Sequence, residues 1–104
     1  MKLRKMFAKE FSSLAESDSF VEQIHKILSY PESECIVLRN KSSCTMRGRH
    51  LRYGMEFEVC VYNNMIFGEF LPCVEIIIHH LDDLVLKEIL PEIFLDILSG
   101  MKQI

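Results

Sequence analysis

The chain has 104 residues, 49% of them hydrophobic, and a formal net charge of −3: enough apolar material for one core, too little length for two domains, and too hydrophobic for disorder. The charge is uneven, with ten Lys/Arg against six Asp/Glu in residues 1–52 (+4) and two Lys against nine Asp/Glu in residues 53–104 (−7). That asymmetry bears on partners and association rates rather than on fold.

The N-terminus begins as a signal peptide would, but Lys9 and Glu10 interrupt the apolar region. The longest nearly apolar run, Met65 to Ile78, contains Glu69, Pro72 and Glu75 and falls short of the roughly 20 residues of a spanning helix. A soluble, cytoplasmic protein is expected, one domain over residues 1–104.

Leu3, Met6, Phe7, Phe11 and Leu14 recur every three to four residues and predict an amphipathic helix ending near Glu16. Ser19 followed by Glu22 reads as a capping box opening a second helix, with Phe20, Val21, Ile24, Ile27 and Leu28 as its buried stripe. Pro31 stops it. Cys35 to Leu38 reads as a buried strand, and Cys44 to Arg49 as its return, interrupted by Gly48. Met55, Phe57, Val59 and Val61 alternate with Glu56, Glu58, Cys60 and Tyr62, a strand with one buried and one wet face. Asn63-Asn64 tolerates positive φ, which suits a two-residue turn, so Tyr62 would pair with Met65 and Glu58 with Glu69. Gly54 and Gly68 suit bulges or close backbone approach.

Cys73 to Ile78 fits strand or helix, with Val74, Ile76 and Ile78 favouring strand. Asp82 and Asp83 suit a helix start, and Leu84, Val85, Ile89, Ile93, Phe94, Ile97 and Leu98 form its stripe, ending at Ser99-Gly100. Pro91 either kinks that helix or begins another. Leu86, Leu90 and Leu95 lie outside the stripe and suggest a homodimer through this helix. The expected fold is α+β: N-terminal helices, an antiparallel meander of four or five strands, and a C-terminal helix packed on one sheet face.

Cys35, Cys44, Cys60 and Cys73 contain no CxxC spacing and read as reduced, small core hydrophobes. His79, His80, Asp82 and Asp83 are types that ligate metals, but adjacent histidines diverge on strand or helix, so no metal and no cofactor are assigned. Arg39, Lys41, Arg47, Arg49 and Arg52, with His50 among them and no acid between them, make a candidate phosphate-binding segment. A nucleic-acid-binding or regulatory protein is the alternative that segment supports. Phosphate-loop, dinucleotide and nucleophile-elbow motifs are missing from the sequence, and an enzyme is not expected.

Glu56, Glu58, Glu69 and Glu75 are the more informative set. A Glu58–Glu69 pairing would set like charges directly opposite, which destabilises a sheet by a fraction of a kcal/mol and which a basic partner would relieve. In size, charge distribution and architecture the chain resembles bacterial toxin-immunity proteins of the contact-dependent inhibition and bacteriocin types. The resemblance implies a stoichiometric inhibitor that masks a basic, nuclease-type toxin domain. Glu56, Glu58, Glu69, Glu75, Asp82 and Asp83 are the residues assigned to the partner.

Overall fold

In the computed structural model, which describes residues 3–41, 44–66, 68–80 and 87–104, the chain runs β1 (Leu3–Glu10), α1 (Leu14–Leu28), a 3-10 turn (Pro31–Ser33), β2 (Cys35–Lys41), β3 (Cys44–His50), β4 (Glu56–Ile66), β5 (Glu69–His80), α2 (Glu92–Ser99) and β6 (Lys102–Gln103). The strands form one antiparallel sheet in the order β2-β3-β4-β5-β1-β6. The α+β class is as expected; the sheet has six strands in place of the expected four or five, with β6 following the C-terminal helix, and the arrangement differs in two further places.

The first difference is at the N-terminus, where the predicted amphipathic helix is a strand. β1 pairs with β5 from Leu3↔His80 to Glu10↔Cys73, with Phe7 opposite Ile76. Leu3, Met6 and Phe7 satisfy a helical template locally, yet β5 is an apolar strand whose second edge needs hydrogen-bond partners, and β1 supplies them from about seventy residues away in sequence. Tertiary pairing overrides local periodicity. The helix cap moves accordingly. Ser13, not Ser19, is the N-cap of α1, and its side chain accepts a hydrogen bond from the Glu16 N–H at 3.2 Å. Ser12 Oγ donates to Glu16 Oε2 at 2.8 Å, fixing the first turn. Ser19 and Glu22 lie inside α1.

The second difference is the turn between β4 and β5. The register runs unbroken from Glu56↔His79 to Ile66↔Glu69, so the chain reverses beyond Ile66, and Gly68 takes a φ of +81° that glycine alone adopts freely. Asn63 and Asn64 are strand residues opposite Pro72 and Leu71. A turn at Asn63-Asn64 would have left Cys73–Ile78 without β4 as a neighbour. The observed register instead buries Phe57 against Ile78 and Val59 against Ile76 and sets the half-buried Val61 against buried Val74, and burial of these apolar side chains sets the register.

The core lies on one side of the sheet. Phe20, Val21, Ile24, Ile27 and Leu28 of α1, with Phe94 and Leu98 of α2, pack over Phe57, Val59, Val74, Ile76, Ile78 and Phe7. Leu90 is buried in this same core, so its burial needs no second chain. Residues 87–89 are helical, and Pro91 is the N-cap of α2 with extended ψ of 141°, ending one helical segment and starting another. Gly48 sits directly under the Phe57 ring: a Cβ built there would lie 2.1 Å from Cζ. Gly48, rather than Gly54 or Gly68, is the position of close approach.

Candidate functional site: the open sheet face

Both helices cover the same face, so alternation along each strand assigns the other face to solvent. Its residues fall into columns. β2 contributes Ile36 and Leu38, which are 47% and 51% exposed, and β3 contributes Arg47 and Arg49. β4 contributes Glu56, Glu58, Cys60 and Tyr62, and β5 contributes Glu69, Glu75, Ile77 and His79, with Cys73 on the same side but buried. The pairs Ile36↔Arg49, Leu38↔Arg47, Arg47↔Glu58, Arg49↔Glu56, Glu58↔Ile77, Glu56↔His79 and Cys60↔Glu75 fix their neighbours.

All four predicted glutamates therefore share one face, but they are not stacked on each other. Glu58 faces Ile77 on one side and Arg47 on the other, and the Arg47 guanidinium holds its carboxylate at 2.7 Å. Glu69 is at the hairpin tip, opposite Ile66, and Glu75 is six positions further on, roughly 20 Å away at strand rise. The predicted Glu58–Glu69 repulsion does not exist. It depended on the turn position, and moving the turn by four residues preserves which face each side chain takes while changing every partner. Asp82 and Asp83 lie outside the described residues.

The basic segment is also divided. Arg47 and Arg49 are interleaved with the glutamates on the open face. Arg39 instead reaches Glu22 of α1 at 2.5 Å, and Arg52 reaches Glu34 at 2.9 Å, while Lys41 is the last residue of β2. The lopsided charge of the sequence is thus folded against itself, with basic β3 beside acidic β4. Between them, Ile36, Leu38, Arg47, Arg49, Glu56, Glu58 and His79 line a shallow depression of about 420 Å³.

His50 has a different role from the acid–base one its surroundings suggested. It is 2% exposed, and its Nδ1 accepts from the backbone N–H groups of Arg52 and Tyr53 at 3.2 and 3.3 Å. Its Nε2 lies on the other side of the ring, 3.6 Å from Glu34 Oε2. With His50 N–H donating to Met55 O and Gly54 N–H to His50 O, the ring acts as the internal cap of the β3–β4 turn. Glu34 adopts a left-handed φ of 55°, uncommon for a non-glycine residue, and its carboxylate meets both His50 and Arg52.

Among the described residues no three His, Cys, Asp or Glu side chains converge as metal ligands. His79 is on the open face beside Glu56, and His80 ends β5. Cys35 and Cys73 are free thiols. Next to Cys73, the Tyr62 phenol is pushed up by its hydrogen bond with that thiol, then by burial and the Glu75 charge. Burial also raises the Cys35 thiol above its usual 9.0, with the Glu34 charge adding to it and a hydrogen bond with Ser33 opposing it. The contribution of a raised thiol is fully present below that ordinary value and is lost as pH rises through the folded value. Cys35 should accordingly react slowly with iodoacetamide at pH 8, as measured by peptide mass spectrometry. Labelling as fast as that of a model thiol would contradict it.

No family model, curated protein or solved structure matches the chain. Among the described residues no helix is long and apolar enough to cross a membrane.

Proposed function

We propose that the chain is a protein-binding inhibitor of the toxin-immunity kind, docking a basic protein domain of nuclease type on its open sheet face. The observation that carries this reading is the layering. Helices cover one side of the sheet, and the uncovered side carries Glu56, Glu58, Glu69 and Glu75 together with exposed Ile36 and Leu38. Exposed aliphatic side chains along the β2 edge, beside charged columns on β3, β4 and β5, give a mixed apolar and polar surface of the kind protein interfaces use.

Correcting the register changes how such a face would work. A bare acidic tract would mimic phosphates, whereas a lattice in which Arg47 already holds Glu58 selects a partner whose own charges interdigitate with both signs. Specificity then comes from matching alternating columns, and a uniformly anionic ligand is repelled by the glutamates. The split of Arg39, Arg47, Arg49 and Arg52 over α1, the sheet and the β3–β4 turn gives the nucleic-acid alternative less support than the open-face reading.

The test is association with a catalytically inactive cationic nuclease domain encoded beside this chain, followed by calorimetry at low and high salt. Glu58→Arg and Glu75→Arg should each weaken binding by at least tenfold while changing stability by less than about 1 kcal/mol, the usual scale for an exposed ion pair. Binding indifferent to both changes would refute the assigned face.

A further inference from the structure

We infer that β2 is a self-pairing edge: two copies of the chain join antiparallel along β2, about a two-fold axis through Val37, into one continuous sheet. The pairing joins Ile36 and Leu38 side by side at the β2 edge and leaves the charged columns of β3, β4 and β5 on the open face to a partner.

β2 is the terminal strand of the sheet and, among the described residues, pairs only with β3. The other terminal strand, β6, has two residues and offers little to pair with. β2 has seven, CIVLRNK, with no proline and no glycine, so the usual blunting devices are missing over its apolar half. Its outward hydrogen-bonding groups can be assigned. Leu51 N–H donates to Glu34 O at 2.8 Å, and the β2–β3 register continues from that pair. The even-numbered residues of β2 therefore bond to β3, while Cys35, Val37 and Arg39 direct their N–H and C=O groups outward.

A second β2 placed on those groups has its own symmetry. With the axis at Val37, Val37 pairs with itself and Cys35 with Arg39 of the second copy as hydrogen-bonded pairs. Ile36 and Leu38 of the second copy become a non-hydrogen-bonded pair, the arrangement in which side chains approach most closely. Ile36 and Leu38 are the two apolar residues left exposed on the open face of β2. Each therefore covers the other, twice over.

Charge selects the same orientation. Glu32 and Glu34 precede the strand, and Arg39 and Lys41 close it. Antiparallel pairing lays the acidic flank of one copy along the basic flank of the other at both ends, whereas parallel pairing would oppose like charges. The intrachain pairs Glu22–Arg39 and Glu34–Arg52 already hold two of these side chains in place, so the second copy extends existing networks and orders few additional groups.

Sedimentation equilibrium should show twice the 12.2 kDa chain mass at tens of micromolar, with dimer weakening as salt rises. Leu38→Lys, on an exposed side chain, should keep the circular dichroism of the wild type and lose dimer affinity by at least tenfold. Ile36→Cys mixed with Leu38→Cys should give a disulfide-linked dimer on mild oxidation, with either variant alone or the wild-type chain giving none. A wild type that stays monomeric, a Leu38→Lys variant that dimerises normally, or cross-linking of Leu38→Cys with itself would each overturn the proposal.

Discussion

Phe57→Ala lowers the unfolding free energy by about 3–5 kcal/mol, the range for emptying a buried aromatic site. The ring is wholly buried and lies across the bare backbone of Gly48, so a Cβ at position 48 would come within 2.1–2.7 Å of three ring atoms. Gly48→Ala in the wild type should therefore cost about 1–3 kcal/mol through overpacking. In the Phe57→Ala background the clash is gone, and the same change should stabilise by a few tenths, because alanine loses less chain entropy than glycine in a strand. The sign reversal is what urea denaturation of the four proteins should show. Equal costs of Gly48→Ala in both backgrounds would mean that Phe57 does not occupy the space over Gly48.

His50→Ala should cost about 2–3 kcal/mol, since it removes a buried ring and strands two part-buried N–H groups, those of Arg52 and Tyr53. His50→Asn is the informative companion. An asparagine oxygen can accept from N–H groups two and three residues ahead, as such side chains do in turns, so this variant should recover a substantial part of the loss. If alanine and asparagine cost the same by urea unfolding, the ring matters by filling space and not by capping the turn.

What the sequence disclosed follows the range of the forces involved. The alternation of Met55 to Tyr62 is set by one strand and one core, and it correctly divided buried from solvent-facing side chains on β4. The stripe of Phe20, Val21, Ile24, Ile27 and Leu28 was likewise legible, because a helix buries its face as a unit. Pairing was not. Asn63-Asn64 is a good local turn, but three apolar cross-strand pairs between Phe57–Val61 and Val74–Ile78, two of them fully buried, outweigh local turn preference, and Gly68 was the one residue in the stretch that signalled the true position. The same holds for β1, whose helical spacing could not reveal an unpaired edge on β5.

The candidate site was half legible for the same reason. That Glu56, Glu58, Glu69 and Glu75 share a face follows from period two and survives any even shift of register. That Glu58 meets Arg47 required knowing that β3 borders β4. The sequence therefore presented a basic half and an acidic half as separate surfaces, whereas strand order merges them. His50 carried no signal of its turn-capping role, because that role depends on the close return of Gly54 and Met55.

The central claim, that a basic protein partner docks on the uncovered sheet face, is tested most directly by methyl chemical shifts of isoleucine. Ile36 and Ile77 lie on the open face, while Ile24, Ile76 and Ile78 are fully buried on the helical side. Titration with the inactive cationic domain should move or broaden the Ile36 and Ile77 methyls and leave those of Ile24, Ile76 and Ile78 unchanged. Shifts confined to Ile93 on α2, with Ile36 and Ile77 silent, would place the partner on the helices and contradict the account.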